Sequence, residues 1–202
     1  LYYATEVGRP LIELEFIAED YIKKNNLKGA FKNYHGYPAN LCLSVNDCVV
    51  HGIPNDYILK NGDLIKIDCG INYKWWITDS AISIVVGGEL TNPLAYNLIM
   101  ATKKALDWAL EYISPNQPLI NYSHHVYTSI TNDWFSIIEK LTGHGVWNKV
   151  HEDPHIYNIP HPSMKNIFLQ SGMVLALEPI TAISSKDFNL KPGNDWNLYC
   201  KN

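Results

Sequence analysis

The chain has 202 residues, of which 47% are hydrophobic and 18% charged, with a formal net charge of −4. That length allows one domain with a sizeable core, and the mild acidity removes any electrostatic ground for nucleic acid as a partner. No apolar run approaches the ~20 residues of a membrane span and no secretory leader opens the sequence, so the expectation is a cytoplasmic protein with no membrane attachment. The four cysteines, Cys42, Cys48, Cys69 and Cys200, form no C-x-x-C pair and read as reduced thiols. A start at Leu1 and a stop at Asn202, with no closing element at either end, suggest a single domain over residues 1–202 that is truncated at both ends.

After the loop Gly8-Arg9-Pro10, the residues Leu11, Leu14, Ile17, Ala18, Tyr21 and Ile22 recur at three- and four-residue spacing, which predicts a helix to about Asn25. An aromatic loop, Phe31 to Pro38, leads to two short strands, about Asn40–Val45 and Cys48–His51, with Asn46-Asp47 at the turn between them. The stretch from Asp63 to Val86 reads as a β-hairpin. Centring its turn on Tyr73-Lys74 sets Asp68 directly opposite Asp79 and gathers Ile65, Ile67, Ile82 and Ile84 on the reverse face. Like charges directly opposed across strands are destabilising, so two such carboxylates over a greasy face make poor sense without a cation.

Asn92-Pro93 predicts the start of a long helix with Leu94, Leu98, Ala101, Ala105, Leu106, Ala109 and Tyr112 as its buried stripe. A second helix is predicted from about Asn121 to Trp134. Its adjacent His124 and His125 point roughly 100° apart, so they cannot serve one metal and read as polar surface groups. Leu141 to Pro162 is dominated by Gly, His, Pro and Asn, Gly172 to Pro179 reads as an apolar strand, and Trp196–Tyr199 is strand-like. Hairpin-connected strands interspersed with helices predict an α+β fold, a largely antiparallel sheet with helices covering one face.

Four further polar residues stand where a strand or tight loop presents them. His51 ends an apolar strand, His144 lies between Gly143 and Gly145, His151 opens His151-Glu152-Asp153-Pro154, and Glu178 follows Val174-Leu175-Ala176-Leu177. Each alone has a structural reading. Together with the Asp pair they make three carboxylates and up to three imidazoles. A carboxylate-rich site with one imidazole suits divalent Mn, Fe, Co or Zn better than a structural tetrahedral zinc. A carboxylate bridging two such ions generates a hydroxide nucleophile and clamps a tetrahedral intermediate, which is hydrolase chemistry.

In order along the chain, Tyr34-His35-Gly36-Tyr37-Pro38, Val49-Val50-His51-Gly52-Ile53-Pro54, Gly62-Asp63-Leu64-Ile65-Lys66-Ile67-Asp68, Thr78-Asp79-Ser80-Ala81, Thr142-Gly143-His144-Gly145, His151-Glu152-Asp153-Pro154 and Gly172-Met173-Val174-Leu175-Ala176-Leu177-Glu178-Pro179 resemble the motifs of a type I methionine aminopeptidase. The resemblance covers about Gly8 to Trp196 and implies the pita-bread fold, two pseudo-symmetric halves around a curved antiparallel sheet. It implies that Asp68, Asp79, His144 and Glu178 ligate two divalent ions (Co, Mn, Fe or Zn), with Asp79 bridging and Glu178 also acting as general base. It implies that His51 and His151 hold the substrate and stabilise the tetrahedral intermediate without ligating metal. Tyr34, Tyr37, Cys42 and Trp196 match positions walling the pocket for a methionine side chain, whose flexible, polarisable thioether suits aromatics and a thiol. The implied substrate is the N-terminal Met of nascent chains, attacked at its peptide bond by a metal-bound hydroxide, and the implied protein is a cytoplasmic monomer with the ribosome as a further partner.

Three departures stand beside the resemblance. Trp147 occupies the place of the last Gly in the family's Gly-His-Gly-Ile-Gly, where it is expected to narrow the substrate entrance or reshape the loop carrying His144, while Trp75-Trp76 read as packing at the hairpin turn. The family's N-terminal helix is missing before Leu1. Its fifth ligand, a Glu on a strand beyond the Trp196 region, has no counterpart, so weak binding of two metals is expected. The alternatives are a catalytically impaired relative that binds peptides or a partner, and an Xaa-Pro peptidase of the same fold.

Overall fold

The computed structural model describes residues 1–190 and 194–201. The chain divides into two compact units, one built mainly on Leu1–Tyr96 with Trp147–Val150, the other on Asn97–Val146 and His151–Phe188. The segment carrying Trp196 belongs to the first. In chain order the first unit holds α1 (Leu11–Lys24), β1 (Lys28–Gly29), β2 (Leu41–Val45), β3 (Cys48–Val50), β4 (Leu64–Tyr73) and β5 (Trp76–Val85). Then come α2 (Pro93–Leu110), α3 (Ile120–Asn132), β6 (Ser136–Ile137), β7 (Thr142–Gly145), β8 (Glu152–Tyr157), β9 (Leu175–Ala176) and β10 (Thr181–Ala182). Two strands follow, β11 (Phe188–Leu190) and β12 (Leu198–Cys200).

In the first unit, β1, β2 and β5 all pair antiparallel with β4, whereas β3 pairs with β12. The core joins Leu11, Leu14 and Ala18 of α1 to Leu41, Leu43, Leu59, Ile65, Ile67 and Val86. The predicted stripe of α1 needs correcting at its edge. Tyr21 is 63% exposed and Ile17 39%, while Glu15 is only 6% exposed. Its carboxylate accepts from the Asn40 amide (2.8 Å), Asn40 Nδ2 (2.7 Å) and the Leu41 amide (3.0 Å), so a buried charge caps the start of β2. Replacing Glu15 with Ala leaves three buried donors without this acceptor and is expected to cost about 3 kcal/mol. Urea unfolding of the variant, read as a lower midpoint at unchanged slope, checks this.

The hairpin forms as expected, but in a different register. Its turn is Lys74-Trp75, both with positive φ (49° and 78°), which is the two-residue geometry that continues the strand twist. Tyr73 therefore pairs with Trp76, Asp68 with Ala81, and Gly70 with Asp79. Asp68 and Asp79 are not directly opposed: they are diagonal neighbours on one face, at about the 7–8 Å typical of that relation. A slip of two positions keeps every side chain on its face. Ile65, Ile67, Ile82 and Ile84 accordingly share the reverse face, although Ile82 is 46% exposed.

Asn92 caps α2 by accepting the Ala95 amide at 3.1 Å, with Pro93 as the first helical residue. Ala95, Leu98, Ala101, Ala105 and Ala109 are buried, whereas Leu94 is 51% exposed and Tyr112, beyond the helix, 42%. α3 contributes Tyr122, Val126 and Ile130 to a core with Ala105, Ala109, Ile137, Ile156 and Met164. The segment dominated by Gly, His, Pro and Asn contains β7 and β8, paired antiparallel. The predicted strand from Gly172 to Pro179 shortens to β9, which pairs with β7 through His144↔Ala176 and Gly145↔Leu175. Glycine is required on either side of His144 because β7 is squeezed by its neighbours. A Cβ at Gly143 would stand 2.3 Å from the Ala176 carbonyl, and one at Gly145 would stand 2.3 Å from the Asp153 carbonyl. Among the described residues, no helix is long and apolar enough to cross a membrane.

Candidate metal centre

Each unit carries part of the chemistry foreseen in the sequence. In the first, β4 and β5 present Asp68 and Asp79 on one face, and both are half-buried. β2 runs on the other side of β4, where Cys42 is the direct partner of Asp68. Burial, and after it the Asp68 charge, pushes the Cys42 thiol well above its usual range. The Cys69 thiol rises to about 11 through burial and the charges of Asp68 and Asp79. Both thiols therefore stay protonated near neutrality; Cys42 shares the face of Asp68, whereas Cys69, the next residue along β4, turns to the reverse face and packs against the core.

Tyr37 is buried, and its hydroxyl lies 2.9 Å from the Leu41 carbonyl and 3.0 Å from that of Gly52. Its ring meets Trp196 edge-on at 5.1 Å, and Trp196 in turn lies 6.5 Å from His51. Tyr37, Trp196 and His51 are thus brought together beside the strand carrying Cys42. Tyr34 is half-buried, its ring edge-on to His35 at 4.4 Å.

His51 adopts φ = 58° immediately before Gly52, where a Cβ would stand 2.2 Å from the Leu43 carbonyl. Burial lowers its pKa below the usual 6.5. The unfolded chain then takes up a proton first as pH falls. The stability contributed by neutral His51 is complete above about pH 6.5 and is lost progressively on descending toward the folded-state pKa. The drop in Tm between pH 7.5 and 5.5 is expected to be smaller in His51→Gln than in the parent, and thermal unfolding at the two pH values measures it.

In the second unit, β7 carries His144, which is 5% exposed. Its Nδ1 lies 2.9 Å from the Gly145 carbonyl and its Nε2 3.2 Å from Glu178 Oε1. A carbonyl only accepts, so Nδ1 donates to it and Nε2 is the nitrogen turned toward the carboxylate. A histidine anchored through its far nitrogen, with the other facing a carboxylate, is a usual form of a metal ligand. His151 is exposed and meets the His144 ring edge-on at 4.3 Å. Behind Glu178, Asn158 Nδ2 donates to the Glu178 carbonyl at 2.9 Å, and Asn158 Oδ1 accepts from the Tyr122 hydroxyl at 2.9 Å. Neither Asn158 nor Tyr122 stood out in the sequence.

The donors therefore fit a divalent ion in chemistry: an Asp pair on one strand face, and a His–Glu pair whose histidine is held through Nδ1. Among the described residues, no group of three His, Cys, Asp or Glu side chains is gathered into a complete cage. His124 is exposed, and His125 stacks on Tyr112 at 3.7 Å and meets Trp108 edge-on at 4.6 Å, as polar helix-surface groups do. Trp147 packs on Trp76 at 4.3 Å, and its carbonyl accepts the Ile77 amide at 2.8 Å. Trp76 stands on the hairpin face opposite Asp79, so the Trp147 ring fastens the hairpin tip. Trp75, expected to pack, is 79% exposed at the turn.

The model of metallopeptidase family M24 matches residues 2–196. A methionine aminopeptidase from Mycoplasma capricolum is 35% identical over 195 residues, 95% of this chain and 75% of that protein. Methionine aminopeptidase 1 from Bacillus subtilis is 39% identical over 176 residues, 86% of this chain and 69% of the relative. Among solved structures, a methionine aminopeptidase from Thermotoga maritima superposes with a TM-score of 0.91 at 31% identity, over 97% of this chain and 78% of the other. The prolidase from Pyrococcus furiosus gives a TM-score of 0.70 at 25% identity, over 86% of this chain and 48% of that one. The fold is the pita-bread fold of these structural neighbours, and the family model is that of a metallopeptidase. The chain belongs to metallopeptidase family M24, and within it to the methionine aminopeptidases.

Proposed function

We propose that this chain removes the N-terminal methionine from nascent polypeptides in the cytoplasm, using divalent metal ions. The observation that carries the reading is the 35% identity, over 95% of the chain, to a methionine aminopeptidase. Asp68, Asp79, His144 and Glu178 are the proposed ligands. Lewis acidity toward the scissile carbonyl and toward the attacking water is what divalent ions supply at such donors. The residues themselves do the rest. Glu178 takes the proton of the attacking water, and a neutral His51, its pKa lowered by burial, donates or accepts a hydrogen bond at the peptide without adding charge. His151, beside His144, stabilises the developing oxyanion by donating to it.

Tyr34, Tyr37, Cys42 and Trp196 wall the side-chain slot. A narrow apolar slot favours the unbranched thioether over β-branched or charged first residues, because added width clashes and buried charge is desolvated. The direct test is hydrolysis of a Met-Ala-Ser peptide by the Mn- or Co-loaded protein, against Val-Ala-Ser and Ala-Pro peptides. Release of free Met in strong preference to the other first residues is expected. Faster cleavage of the Ala-Pro bond would replace this reading with that of an Xaa-Pro peptidase.

A further inference from the structure

Asn158 is 1% exposed and Tyr122 0%, so the side chains that join α3 to the segment after β8 lie wholly inside the second unit. Asn158 uses both ends of its amide. Nδ2 donates to the Glu178 carbonyl and Oδ1 accepts from Tyr122, both at 2.9 Å. The two partners fix the orientation of the amide, since a flipped amide would set oxygen against the Glu178 carbonyl and NH₂ against the Tyr122 hydroxyl. The Asn158 bond meets Glu178 just past the end of a strand ladder. The β7–β9 ladder ends at His144↔Ala176, two residues short of Glu178, and the next residue, Pro179, has no N–H with which to extend it. On its other side, the Glu178 carboxylate faces His144 Nε2 at 3.2 Å.

We infer that Asn158, backed by Tyr122, is a positioning residue that sets the Glu178 backbone so that its carboxylate meets His144 in the geometry a metal ion requires. The inference rests on the reading of Glu178 as a metal ligand. It acts at one remove: Asn158 touches neither ion nor substrate, and its effect passes through the peptide unit it holds. Outer partners of this kind alter metal affinity by about 10- to 100-fold, and small misplacements of a catalytic group lower turnover by as much as about a hundredfold.

The test uses the full chain with three substitutions, Asn158→Asp, Tyr122→Phe and Glu178→Gln, each measured for Mn²⁺ affinity by calorimetry, for kcat and KM on Met-Ala-Ser, and for thermal unfolding. Asn158→Asp keeps size and the acceptor for Tyr122 but loses the donor to Glu178. It is expected to weaken Mn²⁺ binding by about tenfold or more and to lower kcat while leaving KM within twofold. Tyr122→Phe keeps the ring in the core and removes only the hydroxyl, and a smaller change in the same direction is expected. Should Asn158→Asp fail to fold, Tyr122→Phe decides the matter. A folded Asn158→Asp, or in its absence a folded Tyr122→Phe, with Mn²⁺ affinity and kcat within twofold of the parent overturns the inference, even if Tm falls. If Glu178→Gln itself retains Mn²⁺ affinity and turnover, the reading of Glu178 fails and this inference falls with it. If Glu178→Gln loses both while the deciding variant loses neither, only the positioning role is overturned.

Discussion

Asp79→Ala is expected to abolish divalent-metal binding and, with it, peptidase activity. Asp68 and Asp79 share one face of the β4–β5 hairpin as diagonal neighbours. Removing either carboxylate takes away an anionic donor that its direct partner across the hairpin cannot replace: Ala81 faces Asp68, and Gly70 faces Asp79. Hard divalent cations need several oxygen donors, so loss of one of the two on this face should reduce affinity far below the working concentration of the ion. The hairpin itself should survive. Its register is set by the Lys74-Trp75 turn and by Ile65 and Ile67, which are 0% and 3% exposed, and a change on the opposite face leaves them in place. Calorimetric titration of Mn²⁺ into the folded variant measures the effect directly. The rise in Tm that the parent shows on adding Mn²⁺, a consequence of binding to the native state alone, should vanish in parallel. Unchanged Mn²⁺ affinity in Asp79→Ala would sink the assignment of this face as a metal site.

How much of this could be read from residues alone depends on what kind of signal each element carries. Helix α1 was legible because Leu11, Leu14, Ala18 and Ile22 repeat at helical spacing. Glu15 was not, because a carboxylate on a buried face looks polar in sequence and only its three donors from Asn40 and Leu41 reveal why it is inside. The hairpin was legible from its alternation, and its faces were assigned correctly. Its register was not, since Lys and Trp are unusual at positions needing positive φ, and the expected turn was centred too early. β7 and β8 were hidden for the opposite reason: the glycines that mark loops elsewhere are here the residues that let strands approach closely around His144.

The candidate site shows the same division. His144 and Glu178 were conspicuous as polar residues beside glycine or at the end of an apolar run, and they lie 3.2 Å apart. Asn158 and Tyr122, behind them, were invisible because neither belongs to a periodic pattern and their value lies wholly in whom they touch. Trp147 was conspicuous as a bulky residue in a glycine's place, but sequence could not say which way it points. Its contact with Trp76 settles that it serves the hairpin tip.

His51→Ala and His151→Ala should separate metal binding from turnover. Neither histidine is among the proposed ligands. His51 lies in the first unit near Trp196, with its pKa lowered by burial, and His151 is exposed at the edge of the His144 ring. Both variants are therefore expected to keep the parent's metal content, while kcat falls by roughly a hundredfold or more, the usual cost of losing a donor aimed at a developing oxyanion. The two should differ in detail. His51 borders the aromatic wall made by Tyr37 and Trp196, so His51→Ala is expected to raise KM for Met peptides as well as lower kcat, whereas His151→Ala should act mainly on kcat. Elemental analysis of the purified variants, alongside steady-state kinetics on Met-Ala-Ser, makes the comparison. Depleted metal in His151→Ala would mean that the ring edge-on to His144 is itself a ligand or holds one in place, and the donor set would have to be redrawn around the pair. Full turnover in His51→Ala would remove His51 from the reaction and leave it as the residue that shapes the tight backbone before Gly52.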